Sequence, residues 1–197
     1  MPILKREPDL FPSDLFERQD LSGPCGDWWV AYSRSRQEKG LARHLGEHGV
    51  PYYLPQAEKV VRRHGRRLQS FLPLFPGYVF LLGAVAERRV ALYSHLVVRV
   101  LPVEDQFQLH QQLASLWALQ QSGAPLVPHA YVRPGDEVEI VDGPFRGWVG
   151  RVVREKGLLR LVVSITFLRQ SAAAEFDRDL VAPVRPVASY RRVAAAS

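Results

Sequence analysis

A chain of 197 residues with 47% hydrophobic, 10% aromatic and 23% charged residues has the make-up of a soluble globular protein with one or two domains. Its formal net charge of +6 comes almost entirely from arginine, whose planar fork suits phosphate, so nucleic acid or another acidic surface is the expected neighbour. A single Cys25 excludes an internal disulfide and a cysteine metal cluster. No apolar run reaches the length of about 18 residues that a membrane span needs and none follows a basic start, so neither span nor signal peptide is expected and the setting is cytoplasmic.

Residues 1–26 hold six Pro and Gly among mixed charges with no period, and are expected to form a mobile, slightly acidic arm. Residues 27–33, with two tryptophans, Val30 and Tyr32, read as a strand. A helix is expected over residues 36–48, opened by Ser35 as N-cap, with Leu41, Ala42 and Leu45 as its buried stripe and Gly49 as its stop. Residues 50–54 read as a second strand, placed near an edge by Pro51.

A hairpin over residues 57–72 turns at His64-Gly65 and places Arg62, Arg63, Arg66 and Arg67 at its tip. Such a tip is either a solvated charge run or a phosphate contact. The chain is organised around the charge-free stretch Phe71 to Leu82, which reads as a central strand of aromatic and branched residues after a Pro-Gly turn. Alternation sends Tyr78, Phe80 and Leu82 to one face and Val79 and Leu81 to the other. A short helix over 85–94, a strand over 97–101 and an amphipathic helix over 104–121 complete this part. The last helix carries a stripe of Phe107, Leu109, Leu113, Leu116, Trp117 and Leu119.

Strands and helices mix here without βαβ alternation. The fold class expected is therefore α+β, a largely antiparallel sheet with packed helices. A Gly/Pro interruption at 122–131 reads as a linker. Short Val/Ile/Leu strands over 137–141, 147–153, 158–167 and 174–176 suit a small SH3-like β-barrel at 132–184, followed by a flexible tail at 185–197.

No converging set of catalytic groups is visible. His44 and His48 stand at i,i+4 spacing without a third ligand, Cys25 has no base beside it, and no phosphate-cradling Gly-rich loop appears. Neither an enzyme nor a metal or cofactor site is expected.

The run at 135–153, GDEVEIVDGPFRGWVGRVV, resembles the KOW motif. Upstream, WWVAY at 28–32, Glu38 in the helix and LFPGYVF at 74–80 resemble the N-terminal domain of the NusG transcription-factor family. The two in this order resemble a bacterial NusG-type protein across residues 27–184. SRSRQEK at 33–39 and YLP at 53–55 resemble the specialised RfaH-like paralogues within that family.

The resemblance implies an RNA polymerase-binding domain at 27–121, joined by the linker to a KOW domain at 132–184. It implies a patch for the clamp helices of the largest polymerase subunit at Tyr32, Phe75, Tyr78 and Phe80. It implies contact with the non-template DNA strand at Arg34, Arg36, Arg43, His44 and His48, with Gly40 and Glu47 standing where further bases would be. The barrel would recruit ribosomal protein S10 or Rho through Phe145, Phe167 and Arg169, and the chain would act as a monomer that suppresses pausing. A general NusG factor, and a KOW-type RNA-binding or ribosome-associated protein, remain the alternatives.

Overall fold

A computed structural model describes residues 7–17, 26–63, 66–122, 126–129, 138–140, 149–155, 158–176 and 184–186. The first sheet is antiparallel with strand order β1-β3-β6-β2-β7, built from β1 (Leu10–Phe11), β2 (Asp27–Ser33), β3 (Tyr52–Tyr53), β6 (Tyr78–Gly83) and β7 (Val97–Pro102). β6 is the middle strand, as its uncharged composition foretold, and both its faces are covered. Phe80 and Leu82 enter one apolar cluster, Val79 and Leu81 the other.

Helices α1 (Glu38–Glu47) and α2 (Val85–Tyr93) close the second face. Leu41, Ala42 and Leu45 of α1 pack with Val79, Leu81 and Ala91, which is the stripe read from spacing. The helix starts later than the sequence implies. Its N-cap is Gln37, not Ser35, because Arg36 adopts a left-handed φ of +60° that breaks the turn before it. Gly49, at φ +69°, ends the helix as expected.

Helix α3 (Gln106–Gln121) lies over the opposite face. Asp105 caps it by accepting from the Gln108 N–H at 2.9 Å. Leu109, Leu113, Leu116 and Leu119 are buried against Trp28, Val30 and Phe80. Phe107, expected in that stripe, is 62% exposed instead, since it sits on the first turn and points away from the leucine row. Gln106 completes the edge of the sheet. Its side-chain oxygen accepts from the Trp28 N–H at 2.7 Å, and its amide donates to the Trp28 and Val103 carbonyls.

The hairpin forms as read: β4 (Gln56–Arg63) pairs with β5 (Arg66–Pro73) in a register that leaves a two-residue loop between Arg63 and Arg66. His64 and Gly65 themselves lie outside the described residues.

Residues 7–17 depart from the expected mobile arm. β1 pairs with β3, Leu10 opposite Tyr53 and Phe11 opposite Tyr52, and the Leu54 N–H donates to the Asp9 carbonyl at 2.7 Å. Leu15 is buried, and Phe16 stacks on Trp28 at 6.0 Å and meets Tyr53 edge-on at 5.2 Å. Asp9 is buried and accepts from the side-chain amides of Gln56 and Gln120. Three apolar side chains and a hydrogen-bonded carboxylate outweigh the absence of any period in so short a stretch.

The second sheet is antiparallel with order β13-β9-β10-β11-β12-β8. Its strands are β8 (Leu126–His129), β9 (Val138–Ile140), β10 (Val149–Glu155), β11 (Leu158–Ile165), β12 (Gln170–Phe176) and β13 (Val184–Pro186). β8 comes from the stretch read as linker, and β13 reaches into the stretch read as tail. β11 stops at Ile165, where Thr166–Leu168 form a 3-10 turn. This sheet packs on α3: Ile165 and Ala172 join the α3 cluster, and Gln112 exchanges two hydrogen bonds with Thr166, at 2.8 and 3.0 Å.

His110 of α3 is half-buried beside Phe16 and Trp28, and burial lowers its pKa. Its Nδ1 accepts from the Trp28 indole N–H at 3.4 Å, which requires that nitrogen to be unprotonated. Below about pH 6.5 the unfolded chain takes up a proton that the folded chain resists, so stability is full above that pH and falls as the pH drops through the window beneath it. Melting temperatures at pH 5.5 and 7.5 should therefore diverge less in His110→Gln than in the wild type; an unchanged difference would remove His110 from the acid response.

Candidate functional site

The register of the first sheet places three side chains in a row across adjacent strands. Tyr78 of β6 lies opposite Tyr32 of β2, which lies opposite Arg99 of β7. The two tyrosine rings are 5.3 Å apart and tilted by 46°, and the Arg99 guanidinium stands 5.7 Å from the Tyr32 ring. Both tyrosines are half-exposed and Arg99 is exposed, at the end of the face that α3 covers. An aromatic pair with a cation at one side has the chemistry of a surface on which a helix can dock, since rings supply contact area at little entropic cost.

The turn before β6 holds this row in place. The Gly77 N–H donates to the Glu38 carboxylate at 2.8 Å, and the Gly77 carbonyl accepts from the Ser33 N–H at 2.7 Å. Glu38 is buried, so its charge is spent on this contact. Gly77 has φ +88°, and a Cβ there would stand 3.0 Å from the Tyr32 ring. Only glycine lets the turn approach the tyrosine this closely.

Phe75 and Phe80, read from the sequence with Tyr32 and Tyr78, are not on this surface. They are 1% and 0% exposed and meet edge-to-face at 6.3 Å, with Tyr53 6.5 Å from Phe80. Alternation gave Phe80 the right face of the strand, but that face is covered by α3 at Phe80 and open only at Tyr78. Arg99 escaped the sequence reading. Its signal was a lone cation in the otherwise apolar strand VVRVLP.

A second set surrounds α1. Arg34, Arg36, Arg43 and His48 are exposed and His44 is half-exposed. The His44 and His48 rings are 4.2 Å apart and tilted by 39°, and His48 Nδ1 lies 2.8 Å from the His44 carbonyl. Among the described residues no group of three or more His, Cys, Asp or Glu side chains gathers to hold a metal. Arg43 forms an ion pair with Glu7 of the docked arm, which raises its pKa. For Arg62, Arg63, Arg66 and Arg67 the backbone alone is described, on either side of the hairpin loop.

In the second sheet Phe167 is 39% exposed on the 3-10 turn, and Arg169 follows it at a left-handed φ of +51°. Phe167 and Thr166 form one wall of a cleft of about 370 Å³ whose other wall is the start of α3, with Val103, Asp105 and Leu109. Phe145 lies outside the described residues. Among the described residues no helix is long and apolar enough to cross a membrane.

Residues 26–107, which run from β2 into α3, match the family model described as NusG, transcription termination factor nusG. Three curated relatives carry the description transcription termination/antitermination protein NusG. The protein from Buchnera aphidicola is 27% identical, over 76% of this chain and 92% of its own length. Those from Pseudomonas aeruginosa and Escherichia coli K12 are 26% and 28% identical, over 80% and 78% of this chain and 98% and 94% of theirs.

Proposed function

Starting from a chain of the NusG type, we propose that it is a bacterial transcription elongation and antitermination factor that works by contact and not by covalent chemistry. The observation that carries this reading is the Tyr78–Tyr32–Arg99 row, open to solvent and inside the matched residues 26–107. The row docks on the clamp helices of the largest RNA polymerase subunit, with Phe75 and Phe80 as the packed floor beneath it. Bound there, the domain bridges the polymerase cleft, holds it closed and so disfavours pausing.

The α1 face, with Arg34, Arg36, Arg43, His44 and His48, meets the phosphates of the non-template DNA strand. The arginines of the β4–β5 hairpin are assigned to phosphate contact as well. Such contacts position the strand and do not read its sequence. The second sheet recruits a further partner, ribosomal protein S10 or Rho, through Phe167 and Arg169. The relatives' shared description supports a general NusG role; an RfaH-like restriction to a few operons is the second form of the same reading, carried by the residues at 33–39 and 53–55.

The test is binding of the full chain to a purified bacterial elongation complex, together with pause lifetimes on a long template. The wild type should bind and shorten pauses. Tyr32→Ala with Tyr78→Ala should lose more than about tenfold in affinity, as expected for two central aromatic anchors, while melting as the wild type does within a few degrees. Equal affinity of the double variant would overturn the patch, and absence of binding by the wild type would overturn the function.

A further inference from the structure

The head of the docked arm is fastened at successive residues, and the fastening presents one carboxylate to α1. The Glu7 carbonyl accepts from the Gln56 side-chain amide at 3.0 Å, and the Pro8 carbonyl from the Tyr52 hydroxyl at 3.3 Å. Asp9 then accepts from Gln56 and Gln120. With its backbone held, Glu7 puts its carboxylate on the Arg43 guanidinium. The Glu7 side chain is only 18% exposed and that of Arg43 is 55% exposed, so a largely covered anion sits on a largely open cation.

That cation is one of the exposed basic groups around α1, with Arg34 and Arg36 beside the helix start and His48 at its end. Glu47 is exposed on the same helix and adds to the field at Arg43, but the carboxylate that accepts the Arg43 hydrogen bond is that of Glu7. A carboxylate and a phosphate engage the same fork of guanidinium donors.

We propose that Glu7 is an intramolecular stand-in for a nucleic-acid phosphate on Arg43, held there by the docked arm and displaced when a strand binds. This rests on the reading of the α1 face as a nucleic-acid contact. The arm thereby lowers the affinity of that face for nucleic acid presented alone. An exposed pair shifts an equilibrium by about two- to fivefold, so a strand already held by other contacts displaces Glu7 without the arm unfolding.

The test uses the full chain and a single-stranded DNA oligonucleotide, with the dissociation constant followed against NaCl concentration. Glu7→Gln keeps the shape and removes the charge. It should tighten binding about two- to fivefold at low salt and steepen the log–log salt slope by about 0.7, one added phosphate contact. In an Arg43→Gln background Glu7→Gln should change nothing. If it tightens binding there equally, its effect is general charge and the proposal falls. If Glu7→Gln alone is silent while Arg34→Gln with Arg36→Gln weakens binding, the proposal falls and the nucleic-acid reading stands. If no variant alters binding, or no strand binds, both fall.

Discussion

Phe80→Ala should unfold the first domain at much lower temperature, and this loss should precede any question of what the domain docks on. The side chain has no exposed surface and is enclosed by Phe75, Tyr53 and the leucines of α3. Truncating a buried phenylalanine removes its transfer free energy and leaves a cavity, together about 3–5 kcal/mol. For a chain of this length each kcal/mol moves the midpoint by about 2–4 °C, so a fall of roughly 6–20 °C is expected in thermal unfolding. A variant that melts as the wild type does would contradict the burial. The result also decides how the proposed docking surface is probed. Any loss of partner affinity in Phe80→Ala reports the fold, whereas Tyr32 and Tyr78, half-exposed, report the surface itself.

Asp9→Ala should release the arm. The carboxylate is buried and takes hydrogen bonds from Gln56 and Gln120, whose amides already serve Glu7, Tyr53 and the Gln56 carbonyl. Removing the acceptor leaves two amide donors short of a partner, at about 1–3 kcal/mol for that of buried Gln56 and less for that of half-buried Gln120. Gln56 Oε1 stands in the same site without a hydrogen-bond partner, an acceptor that offsets part of this cost only where a freed amide turns toward it. Leu10, Leu15 and Phe16 supply the rest of the docking energy, and the loss falls on a segment held by only a two-residue strand and one turn. Limited proteolysis should then cut between residues 7 and 17 at a rate the wild type does not show, with the remainder of the first sheet intact. Equal protection in Asp9→Ala would place the arm's affinity in its apolar side chains alone.

What was legible in the sequence was what a period or a propensity records. The alternation through Tyr78 to Leu82, the Leu41, Ala42 and Leu45 stripe, the hairpin register and the leucines of α3 all depend on local spacing, and the structure returns each of them. What was not legible depends on contacts between distant segments. Alternation put Phe80 and Tyr78 on one face without saying that α3 stops short of Tyr78. The arm shows no period because its anchors are single residues, Asp9, Leu10, Leu15 and Phe16, each answered by a group far along the chain. Gln106 reads as an ordinary helix-start glutamine until its amide is found closing the edge of β2. Arg99 became part of the site through register across two strands. The row Tyr78–Tyr32–Arg99 is a property of pairing, and three separate stretches of sequence had to be aligned before it existed.

The fastening of the arm has a consequence for the order in which the chain assembles. Residues 7–17 leave the ribosome well before their partners do: Gln56 lies 47 positions after Asp9, and Gln120 lies 111. Closing loops of that length costs entropy that local contacts do not repay, so the sheet and the last helix form before the arm is seated. The arm is thus synthesised before the elements that hold it and placed after them. Until Gln120 has emerged, the edge of β3 and the pit lined by Trp28, Tyr53 and Trp117 stand open on the nascent chain.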